Sequence, residues 1–206
     1  MLSSLRVVLR VNIGCGPSPT PGWVNIDNSP SVWLRRLPVG GLIGRTRRSV
    51  WDAARKHDVR HGSATRIPLP DASADVIYSS HMLEHLSRKD AKTFLGECRR
   101  VLAPDGILRV AVPDLDLIVS EYVVGRNAER LIQRLLLADE RRGIQRAVRF
   151  AGHRWMYDGE SLCRAITAAG FKDAVAIAAG STMISDPGHL NLGEREEESV
   201  YVEARR

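Results

Sequence analysis

The chain has 206 residues, 44% of them hydrophobic and 26% charged, with a formal net charge of +6. That is enough apolar material to bury a sizeable core and excludes a disordered tail. The positive excess is nearly all arginine, since Lys56, Lys89, Lys92 and Lys172 are the only lysines, and it is scattered among acids. Charge of that kind permits an acidic partner without specifying one, because no long basic run or aromatic-interleaved patch accompanies it.

Residues 5–13 read as a first strand and residues 24–27 as a short second one. Between them lie Gly14 and Gly16, then Pro17, Pro19, Pro21 and Gly22. Glycines after a first strand let main-chain N–H groups approach a ligand, and the carboxylate of Asp27 at the end of the second can accept both hydroxyl hydrogens of a ribose. The prolines leave no room for a crossover helix, although parallel neighbours usually need a dozen or more linking residues. Asp27 stands thirteen positions after Gly14, against about 20 in the dinucleotide fingerprint, which argues against a standard NAD fold.

Residues 29–57 mix Trp33, Leu34, Leu37 and Trp51 with arginines and read as an inserted, partly helical segment packing on the core or a substrate. Such a stretch can also touch an anionic membrane, but Pro38, Gly40, Gly41 and Gly44 break any continuous helix. Residues 58–61 form a candidate third strand, residues 75–78 a buried fourth, and a helical stretch begins over residues 81–86. Ser87 with Asp90 resembles a capping box opening a helix over residues 88–102, which the Pro104, Asp105, Gly106 turn ends.

Residues 107–112 form a fifth strand, and residues 115–150 carry helical spacing expected to build a lid. Asp158 or Ser161 starts a further helix ending at Gly170, and strands follow over residues 171–179 and 199–204. Strand, helix and strand at this interval predict a Rossmann-like α/β fold: a doubly wound, mostly parallel sheet with a C-terminal antiparallel hairpin and a helical lid insertion. The expected organisation is one domain over residues 1–206 with insertions at 29–57 and 115–150.

Cys15, Cys98 and Cys163 lack metal-type or redox-type spacing, no apolar run is long enough for a bilayer, and residues 1–10 are too interrupted for a signal peptide. The expectation is a soluble cytoplasmic protein with free thiols. His81, Glu84 and His85 formally fit H-x-x-E-H, a zinc pattern of one metallopeptidase class. A third ligand on another helix would be required and its position cannot be read, so no metal is expected.

Asn12-Ile13-Gly14-Cys15-Gly16, Asp27, Ile67-Pro68-Leu69-Pro70-Asp71, the passage Asp75 to Leu86 with Ser79-Ser80-His81 and Leu83-Glu84-His85-Leu86, and Arg99 to Gly106 together resemble the class I S-adenosylmethionine-dependent methyltransferases. The likeness is to a bacterial, type 11-like subgroup in which Gly22-Trp23-Val24-Asn25-Ile26-Asp27 replaces the first helix, and it extends to His153 through Asp158 and to Glu197 through Ala204. It implies S-adenosylmethionine as cofactor, with Gly14 and Gly16 at its methionine part, Asp27 on the ribose, and Ser80 and His81 beside the transferable methyl. Asn12 belongs to the same turn, and Cys15 is expected to contribute only its backbone. Where the family often carries an adenine-binding aspartate, this chain has Ser63 or Ala64.

The sulfonium is already an activated donor, so the protein mainly aligns a nucleophile behind the methyl. A base is needed only if a hydroxyl must lose its proton; His81, Asp114 and His153 are the candidates. The expected acceptor is a small molecule or glycan, methylated on oxygen. Two alternatives are a non-catalytic cofactor- or partner-binding protein, drawn from the loss of an acid at Ser63, and a nucleic-acid methyltransferase, ranked last because no recognition element is visible.

Overall fold

The structure is a computed structural model that describes residues 8–29, 32, 59–135 and 152–206. Seven strands form one sheet: β1 (Arg10–Ile13), β2 (Val24–Asp27), β3 (Val59–His61), β4 (Ala74–Ser80), β5 (Leu102–Pro113), β6 (Lys172–Ile177) and β7 (Ser199–Arg205), in the order β3-β2-β1-β4-β5-β7-β6. The first five run parallel, and β7 inserts antiparallel between β5 and β6. This is the mostly parallel Rossmann-like sheet with an antiparallel C-terminal hairpin that the sequence predicts. The order reverses beside β1, where the first connections run to opposite sides, and such a switch point opens a crevice at the strands' carboxyl ends.

Helix α1 (Arg88–Val101) begins at Ser87, whose hydroxyl accepts from the Asp90 amide at 3.1 Å and donates to the Asp90 carboxylate at 2.7 Å. Asp90 thus reaches the cap hydroxyl rather than its amide, a variant of the expected box. Helices α2 (Leu115–Gly125) and α3 (Ala128–Leu135) divide the predicted lid. The break falls at Arg126, in the left-handed region at φ 48°, a local stop that the apolar spacing does not report. Helix α4 (Gly159–Ala168) starts with a complete capping box in which Asp158 and Ser161 bond reciprocally, so the two candidate starts are halves of one cap. The insertion at 29–57 lies outside the described residues apart from Ser29 and Val32, as does the lid beyond Leu135.

Strand alternation divides β5 between two cores. Leu108, Val110 and Val112 join Phe94, Leu95 and Cys98 of α1 and Leu162 and Ile166 of α4 on one face. Ile107 and Ala111 join Trp23, Tyr78, Tyr201, Ile184 and Leu190 on the other, where the connection between β6 and β7 covers the sheet. Pro104-Asp105-Gly106 does not end in a free turn; β5 begins at Leu102 and carries Asp105 at φ 61° within it.

That second face holds a charged pair. Arg109 and Glu203, both fully buried, meet at 2.6 Å. The guanidinium also donates to the carbonyls of Ser181 and Leu192 at 2.9 and 2.7 Å, and the carboxylate accepts from the Thr182 hydroxyl and the Met183 amide. The pair is the anchor of the connection that walls the functional cavity.

Candidate functional site

A cavity of about 420 Å³ opens where β1, β2, β3 and β4 end, within the size range of small-molecule sites. Its floor is the connection over residues 14–23, which takes the place of a crossover helix. Two side chains in register hold it: Asn12 pairs with Asn25 across β1 and β2. Asn12 donates to the Thr20 hydroxyl at 3.1 Å, while Asn25 accepts from the Thr20 amide at 2.8 Å and donates to the carbonyls of Thr20 and Trp23, each at 3.0 Å. Buried amides with satisfied partners thus do for this loop what a helix's own ladder would do. Asn25 is a positioning residue that sequence reading passed over, since an asparagine in a short strand gives no signal of what it will bond.

Gly14 and Gly16 have φ of 71° and 49°, a region open to glycine at little cost. A Cβ on Gly14 would lie 2.5 Å from Met82 Cγ and 2.9 Å from Met82 Cβ, whereas one on Gly16 would meet nothing within 4 Å among the described residues. Gly14→Ala therefore combines backbone strain with a clash, and we expect a loss of about 2–4 kcal/mol in urea unfolding. Cys15 is buried and its thiol is pushed well above the usual range by burial and then by Asp27, so it stays protonated.

Asp27 is the hinge of the site. One carboxylate oxygen accepts from the Gly16 amide at 2.9 Å and the other from the Ser29 amide at 2.7 Å. Each oxygen keeps a further lone pair for a ligand hydroxyl. Past β3 the cavity is bordered by Gly62, Ser63, Ala64 and Thr65. The Ser63 and Thr65 hydroxyls lie 2.9 Å apart, and Ser63 also accepts from the Thr65 amide. Arg100 on α1 steadies the following chain through the carbonyls of Ile67 and Leu69 and the carboxylate of Asp71.

Ser80 and His81 close the other end of the cavity. His81 sits at φ 48°, a strained position for a non-glycine residue directly after β4. Arg195 donates to its Nδ1 at 3.0 Å, which leaves the ring proton on Nε2, 2.8 Å from the Ser199 hydroxyl. Burial, then the cations and rings around it, lower its pKa to about 3. Glu194 and Arg195 also line the cavity, and Glu194 accepts from the Tyr78 hydroxyl at 2.8 Å. These two come from the connection before β7, which the Arg109 guanidinium grips close by at the Leu192 carbonyl.

All the cofactor candidates read from sequence, Asn12, Gly14, Cys15, Gly16, Asp27, Ser63, Ala64, Ser80 and His81, border this one cavity. Two of the three candidate bases stand apart from it. Asp114 caps α2 by accepting from the Asp116 amide at 3.0 Å. His153 packs against His85, ring centroids 5.1 Å apart, and does not itself line the cavity.

Fold and cavity define the class: a Rossmann-like domain with a cavity at the carboxyl ends of its first four strands. The model of a family described as a methyltransferase domain matches residues 42–110. A "Probable S-adenosylmethionine-dependent methyltransferase" of Mycolicibacterium smegmatis is 46% identical over 57 residues, 28% of this chain and 21% of that protein. The matched segment thus spans about a fifth of that relative's length.

Among solved structures, an S-adenosylmethionine-dependent methyltransferase of Thermotoga maritima aligns with a TM-score of 0.55 at 17% identity, over 96% of this chain and 81% of that one. One from Archaeoglobus fulgidus aligns with a TM-score of 0.53 at 15% identity, over 97% and 87%. The chain thus resembles S-adenosylmethionine-dependent methyltransferases, in sequence over a part of its length and in fold over nearly all of it. Among the described residues no helix is long and apolar enough to cross a membrane.

Proposed function

We propose that this domain transfers the methyl group of S-adenosylmethionine to an oxygen of a small-molecule or glycan acceptor. The observation that carries the reading is the continuity of one cavity from the Gly14–Gly16 turn and Asp27 to His81 at the end of β4. In the reaction a lone pair on the acceptor oxygen attacks the methyl carbon, and the carbon–sulfur bond breaks with its electron pair passing to sulfur. S-adenosylhomocysteine forms and the acceptor's proton leaves to a base.

His81 is the candidate base that borders the cavity. Its Nδ1 is held by Arg195, so taking the proton requires the acceptor to displace that guanidinium. Orientation supplies most of the rate in such a transfer, and a base adds about 10²–10⁴-fold. Incubation with methyl-labelled S-adenosylmethionine and a panel of hydroxylated metabolites and glycans is expected to yield an O-methyl product. Methyl on nitrogen or carbon overturns the oxygen assignment, and tight cofactor binding without turnover on any acceptor assigns the domain a binding role instead.

A further inference from the structure

Beside the cavity, the turn of 3₁₀-helix at Leu83–His85 presents Glu84 and His85 to His153. Glu84 is 1% exposed, and among the described residues neither of its carboxylate oxygens accepts a hydrogen bond. A buried carboxylate without donors is costly unless it is neutral or bound to a cation. Its nearest polar neighbours are His85 Nε2 at 3.8 Å and His81 Nδ1 at 3.6 Å. His153 brings a buried Nδ1 that also has no hydrogen-bond partner among the described residues.

One atom from each of Glu84, His85 and His153 lies within 4.8 Å of the others. Ligands of a tetrahedral zinc ion at about 2.0–2.1 Å are about 3.3 Å apart, so side-chain rotations that draw the three together by up to about 1.5 Å complete three corners of such a site. The backbone already fixes their approach. The Glu84 carbonyl accepts from the amides of Arg154 and Trp155 at 2.8 and 3.2 Å, which clamps the His153 segment onto the turn. Arg88 closes the outer side by lying over the Trp155 ring at 4.6 Å.

We propose that Glu84, His85 and His153 form a binding site for one divalent transition metal ion of the zinc class. Two imidazoles and one carboxylate suit such an ion better than magnesium or calcium, which take oxygen ligands. The site is not the H-x-x-E-H arrangement, since His81 is held by Arg195 and Ser199 and His153, from the segment ahead of α4, joins Glu84 and His85 instead. Burial raises the Glu84 pKa to about 7 and lowers that of His153 to about 4. A bound dication favours the ionised carboxylate and the neutral imidazole that coordination needs. His85 also lines the cavity at the strand ends, but the metal site does not rest on the proposed methyl transfer.

The test is metal binding by the purified chain. After loading with zinc and desalting, elemental analysis is expected to give one equivalent per chain, and cobalt loading the visible absorption of a tetrahedral ion. Glu84→Gln and His153→Asn should each weaken retention by about 100-fold or more, since loss of even an outer partner of a metal ligand costs 10–100-fold. His189→Ala, at an exposed histidine elsewhere, should leave retention unchanged. Calorimetry with S-adenosylmethionine on the same samples reports folding and tests the cofactor reading separately. A wild-type chain that retains no zinc overturns the proposal, as do Glu84→Gln and His153→Asn proteins that bind cofactor and retain zinc like wild type.

Discussion

Asp27→Ala is expected to weaken S-adenosylmethionine binding by about 100-fold or more in a calorimetric titration. A carboxylate that accepts from two ribose hydroxyls makes two charge-assisted hydrogen bonds of about 1.5–3 kcal/mol each, and each 1.4 kcal/mol is tenfold in affinity. The substitution also frees the Gly16 amide, which Asp27 holds at 2.9 Å, so the glycine turn loses its shape as well as its acid. Asp27→Asn keeps the volume and one accepting oxygen and should lose about tenfold. Equal affinities for wild type and the alanine variant would place the ribose elsewhere.

Arg109→Met is expected to be the most destabilising single change in the sheet. It strands Glu203, fully buried, with its cation removed. Breaking a buried pair in this way costs about 3–5 kcal/mol, or roughly 6–20 °C in melting midpoint for a chain of this size. The Arg109→Met/Glu203→Leu double variant should lose much less than the sum of its singles, because no uncompensated charge remains. It should still fall below wild type, since the hydrogen bonds to Ser181, Thr182, Met183 and Leu192 go with the pair. The same double variant is expected to bind cofactor more weakly, because Glu194 and Arg195 lose the anchor that holds them over the cavity. Additive single effects would show that the two charges do not depend on each other.

The parts legible in the sequence are those set by local chemistry. Gly14, Gly16 and Asp27 announce themselves because a left-handed turn and a strand-end carboxylate each need a particular residue type, and they do share one cavity. Residues 24–27 were read with their observed limits because Gly22 and Asp27 bracket an apolar run. The prolines correctly indicated that the first crossover helix is missing, yet could not show that Asn12 and Asn25 support the loop in its place.

What stayed hidden was set by distance along the chain. Glu194 reaches Tyr78 across 116 positions and Arg195 reaches His81 across 114, and no periodicity predicts either. His153 was read as a base because it follows the lid, but the clamp between Glu84 and the amides of Arg154 and Trp155 turns it toward His85 instead. Asp114 looked like a strand-end base and is an N-cap, a role that the same residue type at the same place serves equally well.

A crystal structure with S-adenosylhomocysteine tests the central claim most directly. The predicted complex has the ribose hydroxyls on Asp27, the amino-acid portion over the Gly14–Gly16 turn, the base beside Ser63 and Ala64, and the sulfur directed at Ser80 and His81. A ligand seated away from these residues, or none bound at millimolar concentration, would contradict it.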